Sequence, residues 1–366
     1  MRRRDVIPAA VLAVLCAALC CVPAPKAPDA AETSARAEVV AVDNADLTTL
    51  GLLEYGSQHL TVKVLSGTAR GRTFAANNEL RAQLELDKKF AVGDQALVAV
   101  PAEAADGATL VARDHWRLGW MAALFGVFCL LLAAFGGWTG VKALFSFVFS
   151  CLVVWKGIIP LALAGWSASG LSFAAVGLLT AVIMYLVAGA TRKGLAAFLG
   201  ATLGVLAGWA TAHLFALLMH INGATLPYVQ SLLYSGYEKL DLADVFVGAM
   251  VLASSGAVMD LAMDIAAGVE EVARHNPTLP SRELFLSGLR IGRSVVGTMT
   301  TTLLLAYSGG YITLLMVFAA QGTPILDFLN STLVSAEVVK TLVGSFALVL
   351  VAPFTAFVSA RVFKWR

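Results

Sequence analysis

From Trp116 onward the chain is dominated by apolar runs long enough to cross a lipid bilayer, and few folds tolerate that. A helix needs about 20 apolar residues to span the hydrocarbon core. In that solvent only helices and closed barrels satisfy their own backbone hydrogen bonds. The runs fall at 117–136, 142–164, 171–190, 195–219, 242–268, 292–319 and 336–360. Of 366 residues, 58% are hydrophobic and 14% charged, with a mean hydropathy of +0.79, whereas a soluble domain carries about 25% charged residues. The expectation is an all-α polytopic membrane bundle of about seven transmembrane helices after an N-terminal signal anchor, plus a small β-rich extracytoplasmic domain. A net charge of +2 is too small to argue for nucleic acid, and the bilayer is the first partner.

Residues 1–25, MRRRDVIPAAVLAVLCAALCCVPAP, read as a signal anchor or signal peptide: a basic cluster, then an apolar stretch. A linker over 26–35 follows. Residues 36–114 change character: ARAEVVAVD, HLTVKVLSG and QALVAVPA alternate polar and apolar between Gly, Asn and Asp turns. They predict an exported β-rich domain for which an OB-like topology would suit. The transmembrane domain covers 116–360 and a short basic tail 361–366. Basic residues favour cytoplasmic loops. Arg2, Arg3 and Arg4 place the N-terminus inside the bacterial inner membrane. Alternation then puts Lys142, Arg192 with Lys193, the 274–293 segment and the tail inside too, and the β domain outside. The five cysteines (Cys16, Cys20, Cys21, Cys129, Cys151) lie in apolar runs, where free Cys behaves as a small hydrophobe. Neither a disulfide framework nor a metal site is expected.

The costliest residues sit in SSGAVMDLAMDIAAGVEE. Asp260 and Asp264 are four apart, so both lie on one helix face, and an uncompensated carboxylate inside a membrane costs at least a few kcal/mol. Such residues are read as cation- or proton-binding candidates. Arg290 and Arg293 on the following antiparallel helix are the expected counter-charges or anion contacts. Thr298, Thr300, Thr301, Thr302, Tyr307 and Ser308 are read as lining a path. Gly200, Gly204 and Gly208 form a small-residue stripe for tight helix packing. Asp244 is expected to serve the first turn of its own helix, Glu337 and Lys340 to form a local pair, and Lys156 to snorkel. His213 and His220, seven apart without nearby ligands, make a weak metal motif. No phosphate loop, HExxH or GxSxG occurs, so neither an enzyme nor a cofactor is expected.

SSGAVMDLAMDIAAGVEE, then NP, then SGLRIGRSVVGTMTTTLLLAYSGG resembles the signature of the YibE/F family of bacterial multipass membrane proteins, in its long form with an exported β domain. The signature maps onto Asp260, Asp264, Arg290, Gly292, Arg293, Gly297, Thr298, Thr300 and Thr302. Ser294 stands where the resemblance implies an acidic residue, so no carboxylate role attaches to that position. The resemblance implies a poorly defined membrane protein associated with transport or secretion. The residues favour a transporter in which the carboxylate pair couples to a cation or proton. The alternative is a non-transporting scaffold or export accessory whose β domain binds an extracytoplasmic partner.

Overall fold

The computed structural model describes residues 32–101 and 107–364, with Cys16, Ala17 and Leu19 besides. The expected anchor over 1–25 otherwise lies outside the described residues, as do residues 26–31 of the linker and the last two of the tail. The chain divides into two units, Pro25–Phe135 and Gly136–Arg366, the second also taking in Met1–Ala24.

The first unit has strands β1 (Glu32–Asp43), β2 (Leu47–Leu50), β3 (Leu53–Val64), β4 (Thr73–Arg81), β5 (Gln95–Pro101) and β6 (Thr109–His115). β1 pairs with β3 and β5, β3 with β4, β4 with β6, and β6 with β5. Five strands thereby close into a barrel-like ring, and β2 extends β3 as a short hairpin. Closure leaves these strands no long open edge. Side chains alternate across a strand, so Leu60, Val62 and Val64 of β3 meet Phe74 and Ala76 of β4 and Val98 and Val100 of β5 inside.

One end of the barrel is polar but fully buried. Gln58 on β3 donates to the Phe90 carbonyl (2.9 Å) and accepts from the Phe90 amide (3.0 Å). It also donates to Asn44 Oδ1 and accepts from Asn78 Nδ2, which in turn donates to the Lys88 carbonyl. Gln58 thus pairs with Phe90 as a strand backbone would, and ties the segment after β4 over the barrel end.

On the outer surface His59 lies between two acceptors, its Nδ1 2.9 Å from Asn77 Oδ1 and its Nε2 2.9 Å from Asp46 Oδ2. Only the imidazolium donates from both nitrogens. These bonds, to Asn77 first and Asp46 second, raise the ring's pKa above its ordinary 6.5. A pKa raised by folding means stability that is full below the unfolded value and is lost as pH climbs through the folded one. An NMR titration of His59 should therefore turn over above pH 6.5, and Asp46→Asn should bring the midpoint down. A midpoint at or below 6.5 in the intact protein would refute the bridge.

The second unit is helical: α1 (Leu118–Leu163, beginning in the first unit and including a π-helical turn at Val153–Ile158), α2 (Ala168–Ala188), α3 (Arg192–Leu218), α4 (Val229–Tyr234), α5 (Leu242–His275), α6 (Ser281–Gly310), α7 (Ile312–Ala320), α8 (Ile325–Asn330) and α9 (Thr332–Val362). Among the described residues five helices (α1, α2, α3, α5, α9) are long and apolar enough to cross a membrane. A sixth is added if α6 and α7, bent by 64°, form one span. A count of about seven is not shown among the described residues. The segments at 117–136 and 142–164 both lie within α1, with no proline in the intervening residues 137–141 (GWTGV). The junction is nonetheless marked: Gly137 has φ 52° and ψ −131°, outside the helical region. The run at 292–319 starts earlier, at Ser281, and bends at Tyr311.

α9 is held on two sides by glycines. A Cβ at Gly200, Gly204 or Gly208 of α3 would lie 2.7 Å from Thr355 Cα, Val351 Cβ and Ala347 Cβ respectively. Steps of four on α3 thus match steps of four, run backward, on α9. From α6, a Cβ on Gly288 would lie 2.8 Å from the Ala356 methyl and one on Gly292 2.9 Å from the Ala352 methyl. Without a hydrophobic force between helices in lipid, association depends on such close approach.

Candidate functional site

α5 and α6 pack antiparallel through their apolar faces. Gly268 lies against Ile291, where a Cβ would be 2.6 Å from Ile291 Cδ1. Gly292 lies against Ile265 and Gly288 against Val269. These contacts decide where the charged residues point. With about 100° of rotation per residue, Arg290 is turned about 100° from Ile291 and Arg293 about 200°, so neither faces α5. Asp260 and Asp264 likewise point away from Ile265. All four side chains are exposed on the bundle, and among the described residues neither aspartate has an ion-pair partner. The expected approach of Arg290 and Arg293 to the carboxylates within one chain is corrected accordingly: the seam between the two helices is occupied by Ile265, Gly268 and Ile291.

The hydroxyls divide between two faces. Ser294, Gly297, Thr298, Thr301 and Thr302 are exposed with the arginines, whereas Thr300 and Tyr307 are half-buried on the side turned toward α9. Each exposed hydroxyl donates to its own helix: Ser294 to the Ile291 carbonyl, Thr298 to Val295, Thr301 to Gly297 and Thr302 to Thr298. Their donors are used, so their remaining lone pairs face outward as acceptors. Ser308 also donates to its helix, at Leu305. Tyr307 has a buried hydroxyl with no partner among the described residues, close to Gly344. The exposed side of the hairpin is therefore one polar face: Ala253, Gly256, Asp260 and Asp264 from α5, and Arg290, Arg293, Ser294, Gly297, Thr298, Thr301 and Thr302 from α6. Asp260 lies 15 residues before the end of α5 at His275, roughly 22 Å along the axis. It stands near the middle of α5.

A second polar cluster forms at the other end of α5, which the sequence did not single out. Asp241 caps α5, accepting from the Asp244 amide. Asp244 instead reaches across to α2, its Oδ2 accepting from Ser167 Oγ (2.9 Å) and the Ser169 amide (3.1 Å). Asp244 stands in the first turn of α5 as expected, and its carboxylate is also drawn to the open amides of the α2 N-terminus. His213 stands beside it, Nε2 3.8 Å from Asp244 Oδ1 and 3.4 Å from Ser169 Oγ, with Nδ1 at the Trp209 carbonyl. His213, His220, Asp241 and Asp244 line one pocket of about 410 Å³. Among the described residues no three His, Cys, Asp or Glu side chains gather as a metal site. Nearby, Lys340 pairs with Glu337 (2.5 Å) and lies over the Phe246 ring. The serines belong to α2, the histidine to α3 and the aspartate to α5, so only the fold could join them.

Long apolar helices, a hairpin with exposed carboxylates midway along one of them and a barrel-like domain earlier in the chain define the class: a polytopic membrane protein with an added β module. The YibE/F-like protein family model matches residues 124–365, and the YibE/F family N-terminal domain model matches residues 35–111. The chain belongs to the YibE/F family. No curated protein and no solved structure matches it.

Proposed function

We propose that this protein is a permease-like transporter of the bacterial inner membrane in which the polar face of α5 and α6 takes up a cation or a proton. The observation that carries the reading is Asp260, an exposed carboxylate midway along α5 that has no ion-pair partner among the described residues and lies beside outward-facing hydroxyl oxygens. Facing lipid, such a group costs about 2.5–3.5 kcal/mol or more. Water or a bound cation removes that cost. Asp260 and Asp264 are the binding carboxylates, and Thr298, Thr301 and Thr302 the lining. Thr300, Tyr307 and Ser308 stand to the side. The reading requires no catalytic residue and no cofactor.

In this reading α1 crosses twice, turning at Gly137, since 46 residues measure roughly 69 Å against a core of about 30 Å. The count is then seven, both termini are cytoplasmic and the barrel is outside. Its strand order, β1-β3-β4-β6-β5 with β4 and β6 parallel, fits an OB-type module. A groove of about 640 Å³ lined by Asn77, Glu79, Arg81, Lys88 and Arg113 is where an extracytoplasmic partner would dock.

The test is pH-dependent proton or cation uptake by purified protein in liposomes, wild type beside Asp260→Asn. Because no ion pair is lost, the variant should keep its thermal midpoint while uptake falls at least about tenfold, the loss of one strong carboxylate contact of roughly 1.4 kcal/mol. Unchanged uptake in the variant would end the transport reading and favour the scaffold.

A further inference from the structure

The polar face of the α5–α6 hairpin carries matched opposite charges that the chain does not use on itself. α5 presents Asp260 and Asp264, α6 presents Arg290 and Arg293, and among the described residues these four make no ion pair. The same face is shaped for a helix to approach. Gly268, Gly288 and Gly292, on the packed sides of this hairpin, each have a neighbour within 3.0 Å of where a Cβ would be. Gly256 and Gly297, on the polar side, have nothing within 4 Å. Small residues of this kind mark helix–helix contacts in membranes. A face that is charged, lined with small residues and left open by the described residues cannot rest against lipid tails without loss.

We infer that two copies of this chain associate through this face, with Asp264 of each copy set against Arg290 and Arg293 of the other. Two copies inserted in the same direction are related by a two-fold axis along the membrane normal, so groups at equal depth meet, and each contact occurs twice. The depths agree. Gly268 and Ile291 are level, which puts Arg293 about two residues, or roughly 3 Å, from the level of Asp264, and Arg290 about five residues, or roughly 7.5 Å. Both are within reach of an arginine side chain. Asp260 lies two turns or so above the arginines and stays unpaired. The hydroxyls of Thr298, Thr301 and Thr302 from both copies then enclose it. The uptake path proposed above would run between two copies rather than through one bundle. Dimerisation rests on the membrane-spanning reading alone and stands or falls separately from transport.

The experiment is a charge exchange in trans, read as dimeric or monomeric mass in lipid nanodiscs. Wild type should be a dimer. Asp264→Lys alone should be a monomer, because its Lys would face the arginines of the other copy. Arg290→Glu/Arg293→Glu alone should also be a monomer. Co-expressed with different tags, the two variants should co-purify as a mixed dimer, since every contact again joins opposite charges. In parallel, Thr301→Cys in a chain whose five native cysteines are replaced by Ala should give an oxidised species of twice the mass in native membranes. Leu206→Cys on α3 should not. That cross-link needs no charge reversal, so it remains decisive if a reversed variant fails to fold. Monomeric wild type, a dimer indifferent to both reversals, absence of the mixed dimer with folded variants, or cross-linking of Thr301→Cys to a different protein would each overturn the inference. Loss of Asp260→Asn uptake in a protein that is still monomeric would overturn the dimer and leave transport intact.

Discussion

Gly204→Leu should remove the folded membrane unit. A Cβ at this position would lie 2.7 Å from Val351 Cβ, 2.9 Å from its Cγ2 and 3.2 Å from Val258 Cγ1. The clash is therefore with two helices at once, α9 and α5. Val351 and Val258 are fully buried and cannot swing aside. Over-packing a filled core typically costs about 1–3 kcal/mol, and here the remaining three carbons of leucine have nowhere to go. A loss at or beyond the upper end, about 3 kcal/mol, is expected, and Gly204→Ala should cost about half of that. Gly177→Leu on α2 is the control, since nothing lies within 4 Å of its Cβ position; its effect should stay within about 0.5 kcal/mol. Thermal unfolding of the three purified variants decides the matter. If Gly204→Leu and Gly177→Leu melt together, the α3–α9 contact does not hold the bundle.

Gln58→Leu should loosen the barrel by on the order of 3 kcal/mol. The substitution fits the volume but strands several fully buried groups: the Phe90 amide and carbonyl, and the Asn78 amide nitrogen's bond to Gln58 Oε1. Leaving a buried donor or acceptor unsatisfied costs about 1–3 kcal/mol each. The segment leading into β5, anchored by Phe90, should open first. Hydrogen exchange in the full chain reads this directly, because the Phe90 amide is the donor that is lost. Its exchange should accelerate roughly 100-fold, the equivalent of about 2.7 kcal/mol, while amides in the β1–β5 ladder change less. Equal acceleration throughout would mean that Gln58 supports the whole barrel and does not act as a local clamp. Unchanged exchange at Phe90 would mean that the clamp does not exist.

Much of the architecture was legible in the residues because its cause is local. Six of the seven apolar runs lie in the five long helices, two of them in α1, since lipid leaves an apolar backbone no alternative. β1, β3 and β5 follow from alternation in ARAEVVAVD, HLTVKVLSG and QALVAVPA. β4 did not announce itself: its inward positions include Ala76 and Asn78, one weakly apolar and one polar, so the period of two is masked. The break expected after residue 136, between the first two runs, coincides with the non-helical backbone of Gly137. Nothing in residues 137–141 forbids a helix, and only the backbone at Gly137 marks the change.

The candidate site divides along the same line. That Asp260 and Asp264 share a face, that Arg290 and Arg293 lie near each other, and that Gly200, Gly204 and Gly208 form a stripe all follow from 3.6 residues per turn. What each face meets does not. The glycine stripe found Thr355, Val351 and Ala347 some 150 residues away, a match of spacing between two helices that neither contains alone. Asp244, in the first turn of its own helix, turns its carboxylate to the open amides of α2 and the neighbourhood of His213, because two helix N-termini meet there. The carboxylates and arginines did not close on each other, because Gly268 and Ile291 interlock and fix the rotation of both helices. A helix carries its faces from the sequence alone; which face turns inward is decided by the tightest packing its neighbours allow.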